Sequence, residues 1–299
     1  MTNVSVVNNQ TNDNKFRNLA VGTGVAIAGY EIEPFIKQGL LYPVRKKTSS
    51  GIKSIQGSGF KPYIEKALEQ NGLKNKISII DLNTSNAQAV KKQLGLDNIK
   101  LSTKTKIIRH LKRFPNNITR SFDRTLAGEN AFFNPVKNVV VCNFEKFGAP
   151  IFHEIGHKMN NESKNSIVQL LRKARNPLTI WGTMGVSIIA MLKNPKEKRE
   201  NPRNIFDKTT DFVKDNCGLV STAMMLPLTA EEFLASIKGE KIAKKAGVQG
   251  DLLKKVQKAH KISMTSYAMT AVATGVAVYL ANKLRDFVYL KLTPKKERT

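Results

Sequence analysis

The chain has 299 residues, enough to bury a substantial core in one large domain or two. Its 49 Lys and Arg against 23 Asp and Glu give a net charge of +26, enough to attract nucleic acid or an anionic membrane surface. The aromatic residues are few and are not interleaved with the basic ones, so no base-stacking platform is visible and nucleic acid is disfavoured as a partner; two cysteines, Cys142 and Cys217, are too few for a disulfide scaffold or a cysteine-based zinc site.

In chain order, residues 1–17 open with an Asn/Thr-rich stretch that predicts disorder. Residues 18–42 form a hydrophobic segment. Lys15 and Arg17 before it, and Ala26-Ile27-Ala28 within it, outline a signal peptide, whereas the long polar lead and the Gly/Val/Ala composition favour a core or membrane-touching helix. Residues 43–59 read as a basic Ser/Gly linker. A globular pattern starts at Phe60: a helix over 62–71 closed by Gly72, a strand over 76–82, a short helix over 87–94, and a β-branched strand over Val139, Val140, Val141 and Cys142.

Directly after that strand comes His153-Glu154-Ile155-Gly156-His157, introduced by Pro150. On a helix, histidines at i and i+4 lie on one face, one turn apart, close enough to share a metal ion. Zinc is the usual guest, with two His ligands, a third protein ligand and an open position for water. Glu154 cannot reach the same coordination shell and stands where a base would take the water proton. Packing or capping histidines on an amphipathic helix are the structural alternative.

The third ligand has to come from elsewhere. Position 163 is Ser163, which excludes the metzincin arrangement, and His110 and His260 are isolated. Glu162 is too close in sequence to fold back, and Glu197 and Glu200 lie in a charged, solvated-looking loop. Glu231 and Glu232 open a predicted helix at Thr229. There Glu232, Ala235 and Ser236 share a face whose small residues would let it approach the motif helix, so Glu232 is the candidate and Glu231 the reserve. Thr229-x-x-Glu232 also reads as a capping box, which would explain Glu232 without a metal.

Three uncharged stretches follow the motif. Residues 176–192 and 216–230 are short for full membrane spans and predict a shallow hairpin or buried helices. Residues 262–282 carry no charge and are long enough to span, with Ala271 and Gly275 at a close-packing spacing; an Ala-rich core helix is the other reading. The mean hydropathy of −0.30 is low for a polytopic protein.

Strand, turn, His-Glu-Ile-Gly-His, apolar interval and Glu232-x-x-Ala235 together resemble the HtpX-like and type I CAAX prenyl protease family of zinc metallopeptidases. Asn130-Ala131-Phe132 is similar to the Asn-Ala-Phe segment that the family carries before the strand, and the likeness covers roughly residues 60–247. It implies proteolysis at membranes, with the active site on the cytoplasmic side. Ser236 stands where the family has an Asp that orients a metal-bound histidine.

The resulting expectation is an α+β fold: a mainly helical, zincin-like metallopeptidase domain over 60–260 with a small sheet, a hydrophobic insertion at 176–230, and a hydrophobic helix with a basic tail over 261–299. His153, His157 and Glu232 hold Zn2+, Glu154 is the general base, and a peptide or membrane-protein substrate pairs with an exposed edge of Val139, Val140 and Val141. The anionic membrane surface is the expected partner of the basic chain. The competing expectation is a catalytically decayed basic protein that binds anionic membrane or nucleic acid; a secreted zinc peptidase would require cleavage of the N-terminal run.

Overall fold

The computed structural model describes residues 4–96, 118–193, 195 and 204–292. His110, Glu197, Glu200 and the basic tail 293–299 lie outside the described residues. The described chain is mostly helical with one three-stranded sheet, as an α+β reading requires. Its elements are α1 (Val4–Lys53), α2 (Lys61–Gln70), β1 (Ser78–Asp81), α3 (Ala87–Gln93), α4 (Ile118–Leu126), β2 (Phe132–Asn134), β3 (Val139–Cys142), α5 (Ile151–Asn161), α6 (Ser166–Asn176), a π-helical turn (Pro177–Gly182), α7 (Thr183–Leu192), α8 (Ile205–Asp215), α9 (Cys217–Met224), α10 (Leu226–Lys245) and α11 (Gly250–Leu292).

Two compact units result. The first comprises residues 42–180 and 225–270. Its sheet has the order β1-β3-β2, with β1 parallel and β2 antiparallel to β3. The period of two along β3 sends Val140 and Cys142 into one core, with Phe60, Ile151, Phe152 and Ile155, and Val139 and Val141 into another, with Leu82, Phe122 and Phe132. Burial on both faces is why this strand reads as an unbroken apolar run.

That position corrects the substrate-edge expectation. Val139, Val140 and Val141 are bonded to β1 on one side and β2 on the other, so no incoming strand can pair with them. The sheet's outer strands are β1 and β2.

The helix α1 corrects two further boundaries. It starts at Val4, inside the lead expected to be disordered, and continues to Lys53, inside the expected linker. Residues 1–21 hold neither Gly nor Pro, so nothing in them breaks a helix. At the other end Ile52 and Ile55 bury in the first core, which overrides the Ser/Gly composition around them.

The second unit comprises residues 1–41, 181–224 and 271–299. Here the uncharged stretches form α7 and α9, which pack with α11 through Val186, Ala190, Cys217 and Val278. Gly275 of α11 meets the backbone of α9 at Gly218, where an added Cβ would overlap the Gly218 carbonyl. Lys214 is buried and donates to Asn282 Oδ1 at 2.8 Å and Asp286 Oδ1 at 2.9 Å. Both cysteines are free and buried.

Candidate metal centre

The motif helix α5 follows Pro150 at its N-cap, whose ring pre-sets a helical φ, and buries His153 and Glu154 on one side and Ile151, Phe152 and Ile155 on the other. It packs directly on α10. The helix axes close to backbone contact because two glycines face across the interface. A Cβ on Gly156 would overlap the Ala235 carbonyl, and a Cβ on Gly239 would lie 2.6 Å from the Phe152 carbonyl oxygen. The small-residue face expected around Ala235 and Ser236 therefore does meet the motif helix.

This approach sets Glu231 and Glu232 over the histidines. His153 Nε2 lies 3.0 Å from His157 Nε2 and 3.1 Å from Glu232 Oε2, and His157 Nε2 lies 3.3 Å from the same oxygen. A tetrahedral zinc site with bonds of about 2.0–2.1 Å has ligand atoms about 3.3 Å apart, so the triangle matches one face of such a site. The three residues fit a zinc ion.

The far side of each imidazole is held as well. Nδ1 of His153 lies 3.0 Å from Ser236 Oγ, and Nδ1 of His157 lies 2.9 Å from Glu231 Oε1. Glu231 thus braces a histidine from behind, rather than sharing the cluster formed by His153, His157 and Glu232. Burial would raise the Glu231 carboxyl, but the hydrogen bond and charge of His157, then Arg175, bring it below its usual range. An ionised Glu231 can only accept, so His157 donates from Nδ1 and, in its neutral form, turns a bare lone pair on Nε2 toward His153 and Glu232. Orientation of metal-bound imidazoles from behind by a carboxylate or hydroxyl is how such sites fix tautomer and ring angle.

The protonation balance follows from this crowding. Burial disfavours the charged form of His157, yet Glu232 and the hydrogen bonds with Glu231 and Glu232 raise its pKa well above the usual range. Burial likewise penalises the Glu232 carboxylate, but His157 and His153 bring its pKa well below normal. The cluster holds lone pairs that require a positive centre, a proton or a metal cation. Glu154 stands apart: burial pushes its carboxyl up, the two histidines pull it down, and Glu232 raises it, for a net upward shift. The Phe133 backbone of β2 adds a small lowering influence on this carboxyl.

Glu232 is not a helix cap. The helix α10 starts at Leu226, after Met225, and Thr229 lies within it with its hydroxyl bonded to the Met225 carbonyl. The capping-box alternative fails because Pro227 opens the helix one turn earlier.

Sequence reasoning missed Arg175, Asn160 and Tyr267, and set His260 aside as isolated. Arg175 of α6 bonds Glu231 and reaches Glu232 Oε1 at 3.4 Å, and Asn160 Nδ2 donates to Glu231 Oε1 at 2.9 Å. No spacing rule links Arg175, His260 or Tyr267 to the motif. Asn165 starts α6 by accepting from the Ile167 and Val168 amides, and so fixes where Arg175 falls. Asn160, at i+3 from His157, is the one that helix periodicity would have found.

A cavity of about 810 Å³ opens on the cluster, within the range of ligand-binding clefts. Its walls include His153, Glu154 and His157 of α5, Phe132 and Phe133 of β2, and Tyr267 of α11. Comparison of the chain with protein-family models, curated proteins and solved structures returns no match.

Proposed function

We propose that this protein is a membrane-associated zinc endopeptidase. The observation that carries the reading is the convergence of His153 Nε2, His157 Nε2 and Glu232 Oε2 to within 3.0–3.3 Å, on a cavity that also exposes Glu154. One Zn2+ held by these three residues would supply a water of lowered pKa and a Lewis acid for a carbonyl. Glu154 takes the proton of the attacking water and returns it to the leaving amine, and its raised pKa suits both transfers. Ser236 and Glu231 keep the two imidazoles turned inward, and Arg175 neutralises part of the carboxylate charge.

The substrate in this reading is an extended peptide or a segment of a membrane protein. With β3 enclosed, β2 is the strand that lines the cavity together with Glu154. A backbone lying along β2 would place its carbonyls beside that carboxylate.

Membrane association has separate support. The helix α11 is long and apolar enough to cross a bilayer. In the second unit, Phe35, Trp181, Phe206, Leu219, Tyr279 and Phe287 are exposed large apolar side chains. The charge of +26 favours an anionic lipid surface. The cytoplasmic side for the active site rests on the resemblance to HtpX-like peptidases. The alternative of a decayed site drew on Ser236, whose hydroxyl stands at hydrogen-bond distance from His153 and so supports a working centre.

Zinc analysis of the purified protein tests the proposal. One zinc per chain in the wild type, lost in both His153→Ala and Glu232→Gln, is the expected result. A wild-type protein without zinc, or zinc retained in both variants, would overturn it.

A further inference from the structure

Basic side chains line the cavity over the candidate metal cluster, and some of them are already engaged. Arg175 binds Glu231 and Glu232, and Arg124 pairs with Glu129 at 3.7 Å. Two others, Arg172 and Lys173 of α6, have neither an ion pair nor a hydrogen-bond partner among the described residues. Lys173 is exposed, so water satisfies it. Arg172 is different. It is partly buried in the cavity wall, and its Nε is sealed by protein without a partner. Its two terminal amino groups are not sealed, so they are the part of the guanidinium that meets the cavity.

This group calls for an anion. A guanidinium does not escape its charge by losing a proton, and its amino groups present two parallel N–H donors to a carboxylate. Arg172 and Arg175 stand at i and i+3, so one face of α6 carries both cations, and like charges so placed repel. Two carboxylates relieve Arg175, and none relieves Arg172.

Position narrows the choice of anion. Arg175 reaches Glu232 Oε1, and Glu232 belongs to the candidate metal cluster. Arg172 lies three residues, about 4.5 Å, from Arg175 along the helix. An extended peptide advances about 3.3 Å per residue, so a carboxylate on Arg172 belongs to a residue within about three of the bond at the metal.

We propose that Arg172 sets the specificity of the cavity by binding a carboxylate of the substrate, an Asp or Glu side chain close to the bond that is cleaved. The proposal rests on the peptidase reading above and names its substrate class, acidic internal segments of a peptide chain. Both terminal amino groups donate to the carboxylate oxygens, and the partly dry wall makes that pair stronger than one on an open surface. Arg172 touches the substrate away from the reacting atoms and moves no proton.

The test uses the full-length zinc-loaded protein and a randomised mixture of short peptides, acetylated and amidated at their ends, with the cut sites read by mass spectrometry. Cut sites are expected to carry Asp or Glu within about three residues. Arg172→Gln should lower kcat/KM for a peptide with Glu at that place about 10-fold, and leave its Gln counterpart and the zinc content unchanged. The affinities of the same two peptides for the Glu154→Gln protein should show the same discrimination without turnover. Arg172→Glu should move the preference to Lys and Arg, a reversal that a merely structural residue would not produce. Lys173→Gln, which removes the same charge one position away, should leave the preference intact. Cleavage with no acidic preference would sink the proposal and spare the peptidase reading. So would a preference unchanged in Arg172→Glu or equally lost in Lys173→Gln. A preference seen only with free C-termini would give the guanidinium to the terminal carboxylate and overturn the side-chain assignment. Zinc lost in both Arg172 variants would make Arg172 a structural group. A wild type that holds no zinc, or holds it and cuts none of the peptides, would overturn the peptidase reading and this proposal with it.

Discussion

The Ser236 hydroxyl lies 3.0 Å from Nδ1 of His153, at the position from which a side chain can fix the ring without adding charge. A hydroxyl makes one neutral hydrogen bond there, weaker than the charge-assisted bond that a carboxylate would make. Ser236→Ala should therefore lower zinc affinity by about 10-fold, the lower end of what loss of such a brace costs. Competition with a chromophoric chelator measures it; unchanged affinity would mean that packing alone orients His153.

Glu154→Gln separates binding from turnover. Glu154 does not belong to the metal cluster, so the variant should keep one zinc per chain. Casein cleavage should fall by at least about 100-fold, the usual effect of losing a general base. Cleavage at the wild-type rate would remove Glu154 from the reaction.

The glycine contacts between α5 and α10 are a second structural test. A Cβ on Gly156 would overlap the Ala235 carbonyl, which belongs to backbone and cannot turn aside. Gly156→Ala should force the helices apart, destabilise the protein by about 1–3 kcal/mol and loosen zinc by moving Glu232 off the histidines. Thermal unfolding together with zinc stoichiometry reads both effects. An unchanged melting temperature with full zinc would show that the helices can separate freely.

The response to pH should differ with and without metal. In metal-free protein the folded pKa of His157 is raised above its ordinary 6.5, so its stabilising contribution is complete below about 6.5 and is lost as pH rises through the raised value. Glu232 is lowered below its ordinary 4.5, so its contribution is complete above about 4.5 and is lost as pH falls through the lowered value. Both act together between these limits. Zinc must displace the proton on His157, so its stabilisation should grow from about pH 5 to about pH 8. Melting temperatures with zinc and with chelator check this; a constant difference would mean that no proton is exchanged.

Much of the site was legible because helix periodicity is a strong rule. The i, i+4 histidines and the Glu232, Ala235, Ser236 face each followed from residue spacing, and the structure brings those two faces together. The strand over Val139–Cys142 was legible too, but its place in the sheet was not. An all-apolar run of four residues fits any strand buried on both faces, and only pairing with β1 and β2 shows that it is central. The separate roles of Glu231 and Glu232 were hidden for another reason. Adjacent residues on a helix point about 100° apart, and which of them meets which histidine depends on how α5 and α10 are rotated against each other. Arg175 and His260 come from other helices, where no local pattern marks them.

Around the two histidines stand three buried carboxylates, Glu154, Glu231 and Glu232, and one partly exposed guanidinium, Arg175. With neutral imidazoles their formal sum is minus two. A single divalent cation brings that group to electrical neutrality, whereas a monovalent ion leaves an excess of negative charge and a phosphate would add to it. In a chain whose total charge is +26, this small enclosure carries charge of the opposite sign. The basic total charge favours anionic partners, and the acidic cluster would favour a dication.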